Sequence, residues 1–418
     1  MNIWLVNPYG AIPGEGWREY RFTMLAKALV EHGHNVIWWT ANYSHNFKRF
    51  RSRGWADIPV SQGFLIRLVP TVDYVKNVSL ARIWFEVVFA YRMYKRAKKE
   101  QFPDMIIAGE PPQSVSYAAV KLAQYFSTQL VLDVGDIWPE LFVLAIPRFF
   151  RPVSYLLFSP FYGLRRYNLR NANAVVAVCN TYLKLVQKEA PFLSQERAET
   201  VFWGVDVADL RRESSTIEAP AEVRWKHKLP GEVWAIYAGT LGNNYDILTL
   251  LQVVALLQQR RSTVKIIIAG AGPLQSHIAD YIKTNGSANI EYLGKLETSD
   301  LGDLYRICDI GLCPYAEGST VAMPIKVFDY LAVGLPIISS LHGDLESLLS
   351  DRQVGIQYES GNPSSLADAL EILATNEDRR KLMARNSYNT AMEFDQKIQY
   401  QKFVALVERV VSDGLISN

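Results

Sequence analysis

Short, unbroken apolar runs alternate along this chain with stretches of helical periodicity. "NIWLVN" at the start is followed by "NVIWWT" (35–40), "DMIIAG" (104–109), "TQLVLDV" (128–134) and "ANAVVAVC" (172–179). Such runs predict strands covered on both faces, because a half-exposed strand would alternate polar and apolar positions. Between them, "REYRFTMLAKALVEHGH" has apolar residues at helical spacing, and Gly33 suits the left-handed position that ends a helix. The pattern restarts with "VWAIYAGTLG" (233–242), the helical "DILTLLQVVALLQQRR", "VKIIIAGAGP" (264–273), "NIEYLG" (289–294), "DIGLCPY" (309–315) and "PIISS" (336–340). This β–α alternation predicts an α/β chain of two doubly wound, Rossmann-like domains with a cleft between them. A polar, proline-containing segment near 205–230 marks the break. It gives domains at 1–210 and 211–390, with a helical tail at 391–418.

Composition narrows the class without choosing a chemistry. The 418 residues are 49% apolar and 21% charged, which indicates a globular chain with ample core. A net charge of +2 is too small to imply a polyanionic partner by itself. Cys179, Cys308 and Cys313 follow no metal or disulfide spacing and read as reduced core thiols of a cytosolic protein. "MNIWLVNPYG" reads as a first strand, lacking the basic region and cleavage site of a signal peptide. No uncharged apolar run reaches the ~18 residues of a membrane span.

In parallel sheets, ligands sit at the carboxyl ends of strands and at helix N-termini, so the loops there are the places to look. The first, "NPYGAIPGEGWREYR", carries Gly10, Gly14 and Gly16 ahead of Arg18 and Arg21. It reads as a ligand or phosphate loop, or as a plain turn with solvated arginines, and it lacks the dinucleotide fingerprint. In "AGTLGNNYD", Gly239 and Gly242 flank Thr240, and Asn243 or Asn244 is placed to cap the next helix. Bare amides and small polar side chains there suit a diphosphate. Gly270 and Gly272 in "IAGAGPL" form another such turn, and Gly294 and Lys295 are placed to meet a flat base.

The most informative stretch is "VAMPIKVFDYLAVGLPII", from Val321 to Ile338. Pro324 suits a first helical position, Gly334 a left-handed exit, and Pro336 blocks continuation, so the spacing predicts a helix over 324–332. Its entrance, at Pro324, Ile325 and Lys326, faces the ligand end of the sheet. A lysine in the first turn opposes the helix dipole by ~0.3–1 kcal/mol, a cost that a bound anion would reverse. Asp329 shares the face of Lys326, and its carboxylate can accept both hydroxyls of a ribose diol. A local Lys326–Asp329 surface pair satisfies the same residues, and residue chemistry alone admits both readings.

The order of these motifs resembles the retaining GT-B glycosyltransferases of family 4, over nearly the whole chain. "PIKVFDYLAVGLPII" and "VLDVGDIWPE" (131–140) are similar to the branch of bacterial surface-polysaccharide enzymes that includes fucosamine and colanic-acid transferases. The resemblance implies a GT-B fold with an acceptor-binding first domain and a donor-binding second domain. The C-terminal helix is expected to return to the first domain. It implies transfer of a sugar from a nucleotide diphosphate sugar, with retention, to a hydroxyl of a glycan acceptor, and no metal or other cofactor. Asp329 matches the family's ribose-binding glutamate. Asp136, Glu140 and Glu317 become candidates for contact with the sugar or acceptor. The chain departs from the pattern at Val321, where the family has its other glutamate. It departs again at Thr240 and Tyr245, in place of an Arg and a Lys, and at Gly135, in place of a histidine. The same shape is also compatible with a nucleotide-sugar epimerase, or with a non-catalytic nucleotide-sugar-binding subunit of a polysaccharide assembly complex.

Three stretches of the first half mix basic and aromatic residues: 45–55, 79–99 and 147–170, the last without a single acid. They suit the surface of an anionic membrane, where each basic residue contributes ~1 kcal/mol. With a lipid-linked acceptor, the expected place is the cytoplasm, peripheral to the inner face of the cytoplasmic membrane. The bland alternative is a core helix with a basic end at 79–99 and a solvated loop at 45–55. No nucleic-acid recognition motif is present.

Overall fold

The computed structural model describes residues 1–16, 18, 21–144, 146–191, 193–212, 227–286 and 288–416. Two compact units make up the chain: Met1–Trp203 with Lys397–Asn418, and Gly204–Gln396. The passages thus lie at Trp203–Gly204 and Gln396–Lys397. Residues 213–226, within the polar stretch read as the break, lie outside the described residues, as do Glu19 and Tyr20 at the start of the expected first helix.

The first unit contains β1 (Asn2–Val6), β2 (Asn35–Ala41), β3 (Tyr43–Ser44), β4 (Arg49–Phe50), β5 (Ala56–Ser61), β6 (Phe64–Val69), β7 (Met105–Glu110), β8 (Gln129–Val134), β9 (Ala174–Ala177) and β10 (Ala198–Thr200). Eight of these form one sheet in the order β10-β9-β8-β7-β1-β2-β6-β5. Only β5 runs antiparallel in it, as the edge partner of β6. The five apolar runs all lie in this sheet, buried along most of their length. The β5–β6 hairpin was not anticipated. Along β5 the exposure alternates residue by residue, as an edge strand with one face in water requires.

The second unit contains β11 (Val233–Ala238), β12 (Val264–Ala269), β13 (Ile290–Tyr292), β14 (Ile310–Cys313), β15 (Ile337–Ser339) and β16 (Gly355–Gln357). They form a wholly parallel sheet in the order β13-β12-β11-β14-β15-β16, the doubly wound arrangement. One core packs this sheet against the helices Ile247–Gln259 and Pro363–Thr375.

The C-terminal helix Gln396–Ile416 packs on the first unit. Tyr400, Phe403, Val404, Leu406, Val407 and Val410 share a buried cluster with Ile3, Leu5, Leu25 and Val131. A buried ion pair lies beside it. Arg21, the first residue of the helix Arg21–Glu31, donates from Nη2 to Asp133 Oδ1 at 2.6 Å and from Nε to Oδ2 at 2.9 Å. The two residues are 3% and 2% exposed. The guanidinium also reaches the Val201 carbonyl and lies 5.4 Å from the Phe403 ring. Arg21 is therefore a structural clamp on β8, the passage at 201–203 and the last helix, rather than a solvated or ligand-binding arginine. Removing one partner of such a pair strands a buried charge. Asp133→Ala should cost about 3–5 kcal/mol in urea unfolding. A loss below 1 kcal/mol would show that the pair is not the clamp.

Candidate functional site

In the second unit the strand order reverses between β11 and β14, and the crevice outside their carboxyl ends is the switch point where such sheets bind ligands. The turns after β11 and β12 meet there backbone to backbone. Gly239 N–H donates to Ala269 O at 2.9 Å, Leu241 N–H to Ala271 O at 3.0 Å, and Leu274 N–H to Leu241 O at 3.0 Å. A Cβ on Gly270 would lie 1.8 Å from Gly239 O, and one on Gly272 would lie 2.4 Å from Leu241 O. The abutting turn therefore imposes both glycines, whatever the ligand. Gly270 N–H also bonds Gly294 O at 2.7 Å, which ties in the third turn. Thr240, Asn243 and Lys295 are exposed along this rim.

The helix Ile325–Ala332 enters the same region. Pro324 is its N-cap, in extended conformation, and not its first helical residue as the spacing predicted. The exit is as expected. Gly334 has φ +80°, its N–H bonds Leu331 O at 3.0 Å, and Leu335 N–H bonds Tyr330 O at 2.9 Å, closing the last carbonyls. Tyr330 fixes the helix under the sheet: its hydroxyl accepts from Ala238 N–H at 3.2 Å and donates to Ile236 O at 3.2 Å. Its ring fills the space a Cβ on Gly311 would take.

Asp329 is buried, at 7% exposure. The Lys326 ammonium is buried too, although the residue as a whole is only partly covered. Nζ has no hydrogen-bond acceptor among the described residues, so the Lys326–Asp329 surface pair does not form. Three rings surround it instead, with centroids 4.0 Å away for Tyr237, 4.8 Å for Tyr245 and 5.7 Å for Tyr315. Burial pushes the amine down to about 8. Sequence reasoning missed this tyrosine box. Tyr237 looked like any strand residue, and Tyr245 registered only as the absence of a lysine. Asn243 and Asn244 do not cap the next helix: Asp246 occupies that position and its Oδ2 accepts from Gly361 N–H. Glu317 is exposed and Val321 half-buried.

The first unit has its own switch point, where β1 lies between β2 and β7. Gly14 and Gly16 adopt φ of +77° and +78° in the loop after β1, with Arg18 beyond them. Glu15 between them pairs with Arg51 at 2.8 Å, both nearly buried, so part of the basic 45–55 stretch is bound inside the fold. Arg82 Nε donates to the Tyr9 hydroxyl at 3.0 Å, and its guanidinium stacks on Tyr9 and Trp138 at 4.8 and 4.7 Å. Burial raises the Asp136 carboxyl above its usual range, while the Ile137 N–H, at 2.8 Å, opposes the shift. His45 packs against Tyr9 and bonds the Tyr74 hydroxyl. Burial, with Lys48 and Arg82 adding repulsion, pushes it down to about 4, so it is neutral at pH 7. Tyr9, His45 and Arg82 carried no motif that the sequence could reveal. Glu140 is gripped by Arg165 through two bonds of 2.7 Å, and Arg165 also holds Glu189. That makes Glu140 an anchor of the 138–140 turn.

Glu110, at the end of β7, is 2% exposed, and burial pushes its carboxyl up to about 7 against bonds from Ser116 and Asn168. An acid with a raised folded value contributes stability that declines as pH rises from about 4.5 and is lost above about 7. Relative to wild type, Glu110→Gln should therefore gain about 2–3 kcal/mol between pH 5 and pH 8 in urea unfolding. An equal difference at both pH values would mean that the carboxyl titrates normally.

Among the described residues, no group of three or more His, Cys, Asp or Glu side chains could hold a metal ion, and no helix is long and apolar enough to cross a membrane.

Residues 221–390 carry a domain matching the family described as "Glycosyl transferases group 1". Over 129 residues the chain is 30% identical to the N,N'-diacetylbacillosaminyl-diphospho-undecaprenol alpha-1,3-N-acetylgalactosaminyltransferase of Campylobacter jejuni, which is 30% of this chain and 32% of that protein. The chain spans about a third to a half of the length of the curated relatives it matches. Sucrose-phosphate synthase from Thermosynechococcus elongatus superposes with a TM-score of 0.74 at 15% identity, over 99% of both chains. HepE of Anabaena, solved in complex with UDP, superposes with a TM-score of 0.67 at 14% identity, over 98% of this chain and 100% of that one. The fold is GT-B.

Proposed function

We propose that this protein is a glycosyltransferase that moves a sugar from a nucleotide diphosphate sugar to a hydroxyl of a glycan acceptor in surface-polysaccharide or glycoconjugate synthesis. One observation carries the reading: the domain matched as group 1 coincides with a unit whose switch point gathers two glycine turns, a helix entrance, a buried lysine and Asp329. The glycine turns let a diphosphate approach the backbone closely, and Asp329 takes the ribose diol. Gly294 and Lys295 border the base. Amides and the Lys326 cation offset the charge that grows on the leaving diphosphate, so no metal is required. The bond from the anomeric carbon to the diphosphate breaks as the acceptor hydroxyl bonds that carbon on the same face and gives its proton to the leaving diphosphate oxygen, which gives retention. Asp136, Arg82 and neutral His45 line the acceptor side, with Gly14, Gly16 and Arg18 at its edge.

The acceptor is lipid-linked in this reading. A relative's name specifies an undecaprenol-linked substrate, and the first unit exposes a fitting surface. Phe149, Leu156 and Leu157 are 88%, 76% and 68% exposed, in the acid-free stretch 147–170 whose Arg166 and Arg170 are exposed while Arg165 is held inside. Apolar side chains beside cations complement an anionic bilayer. Contact with the inner face of the cytoplasmic membrane follows, and nucleic acid has no place in the scheme.

A thermal-shift screen of UDP, GDP and their sugars should raise the melting temperature with at least one nucleotide. Asp329→Ala should then weaken that nucleotide by at least tenfold, the scale of a lost charged hydrogen-bond pair. Unchanged affinity would remove Asp329 from the site. Turnover should require both donor and a lipid-linked acceptor. Conversion of donor alone would instead indicate an epimerase, and binding without turnover a non-catalytic subunit. Vesicles with anionic lipid should co-sediment the protein, and Phe149→Glu with Leu156→Glu should release it. Equal retention of the double variant would exclude this surface.

A further inference from the structure

The buried Lys326 ammonium has no hydrogen-bonded counter-ion among the described residues, and its surroundings explain how it is kept. Tyr237 comes from β11, Tyr245 from the turn that follows, and Tyr315 from the exit of β14. Aromatic faces attract a cation electrostatically and offer no proton acceptor, so they hold the charge without neutralising it. The titratable neighbours from these elements are the three phenols and the Cys313 thiol. Burial raises all four: Tyr237, Tyr245 and Tyr315 above the ordinary phenol value, and Cys313 to about 12. None of them is an anion near neutral pH. Asp329 and Tyr330 are the titratable neighbours on its own helix, and the Cys313 thiol opposes the effect of burial on the lysine.

Gly239 closes the ring of neighbours around the ammonium. A Cβ on Gly239 would lie 2.9 Å from Lys326 Nζ and 3.4 Å from Cε. The bare glycine backbone therefore borders the ammonium, and a side chain there would have to displace it. Gly239 is the first residue of the turn that follows β11, and Lys326 is itself partly accessible.

We infer that Lys326 is a retracted cation that the donor diphosphate draws out past Gly239, so that nucleotide binding is coupled to the protonation of this one side chain. The inference rests on the proposed diphosphate site and adds a linkage to it. The nucleotide-free protein carries a depressed amine, and a bound anion raises it. Below about pH 8 the ammonium is already formed and binding takes up no proton. As pH rises through that value, each nucleotide bound requires a proton at Nζ, and affinity falls.

The experiment is isothermal calorimetry of the full chain with UDP and with GDP, in two buffers of different ionisation enthalpy. Between pH 7.0 and 9.0 the affinity should fall about tenfold more for wild type than for Lys326→Met, with uptake of close to one proton at pH 9.0 and almost none at pH 7.0. Binding with no proton uptake at pH 9.0, or a parallel pH dependence in Lys326→Met, would overturn the coupling while leaving the donor site intact. No binding of either nucleotide at pH 7.0 would overturn the donor site itself. Tyr237→Phe keeps the ring and should retain the uptake. Tyr237→Leu removes a face and should move its onset to lower pH, and an unmoved onset would count against the box. Wild-type uptake needs no variant to fold.

Discussion

Strands buried on both faces leave no room for chemistry along their length, and this constraint organises the molecule. In both units the runs that cross the sheet are apolar, and their polar residues gather at the ends. Asp133 is the exception inside β8, and it is tolerated because Arg21 meets it with two short hydrogen bonds. An unpaired carboxylate there would carry a desolvation penalty of several kcal/mol. The pair turns that liability into a tie between the first helix, the sheet and the returning C-terminal helix.

At the switch point of the second unit, backbone geometry and charge play separate parts. The two glycine turns are glycine because they abut, with Gly270 and Gly272 facing carbonyls at distances no Cβ could share. The charge comes from one lysine that meets rings rather than acids. A carboxylate beside Lys326 would neutralise its charge. Three tyrosines hold the charge without neutralising it, through cation–π contacts worth only ~0.5–2 kcal/mol, weaker than a full anionic partner.

The first unit distributes its basic residues differently. Arg21, Arg51 and Arg165 are held by Asp133, Glu15, and Glu140 with Glu189. The basic–aromatic stretches of the sequence therefore contain two populations: arginines bound inside the fold, and an apolar surface around Phe149 and Leu156 that faces solvent. Composition alone merges them, because a paired and a solvated arginine are the same letter.

The sequence by itself determined the two parallel α/β units, because continuous apolar runs can only be strands covered on both faces. It also determined the helix Ile325–Ala332 and its sharp end, because Gly334 and Pro336 act through local backbone geometry. Short elements escaped it: the β5–β6 hairpin reads as a polar stretch, and three-residue β10 and β16 hold their place through neighbours rather than through pattern. The functional residues divide the same way. Asp329 and the glycine turns were visible as motifs, since their spacing is local. The tertiary structure alone decided that Lys326 ignores Asp329 and enters a box of three tyrosines, and that Glu140 belongs to Arg165. It alone brought Tyr9, His45, Arg82 and Trp138 together. These contacts join residues separated by tens of positions, and parallel crossovers bring such residues to one sheet edge without leaving any periodic trace in the chain.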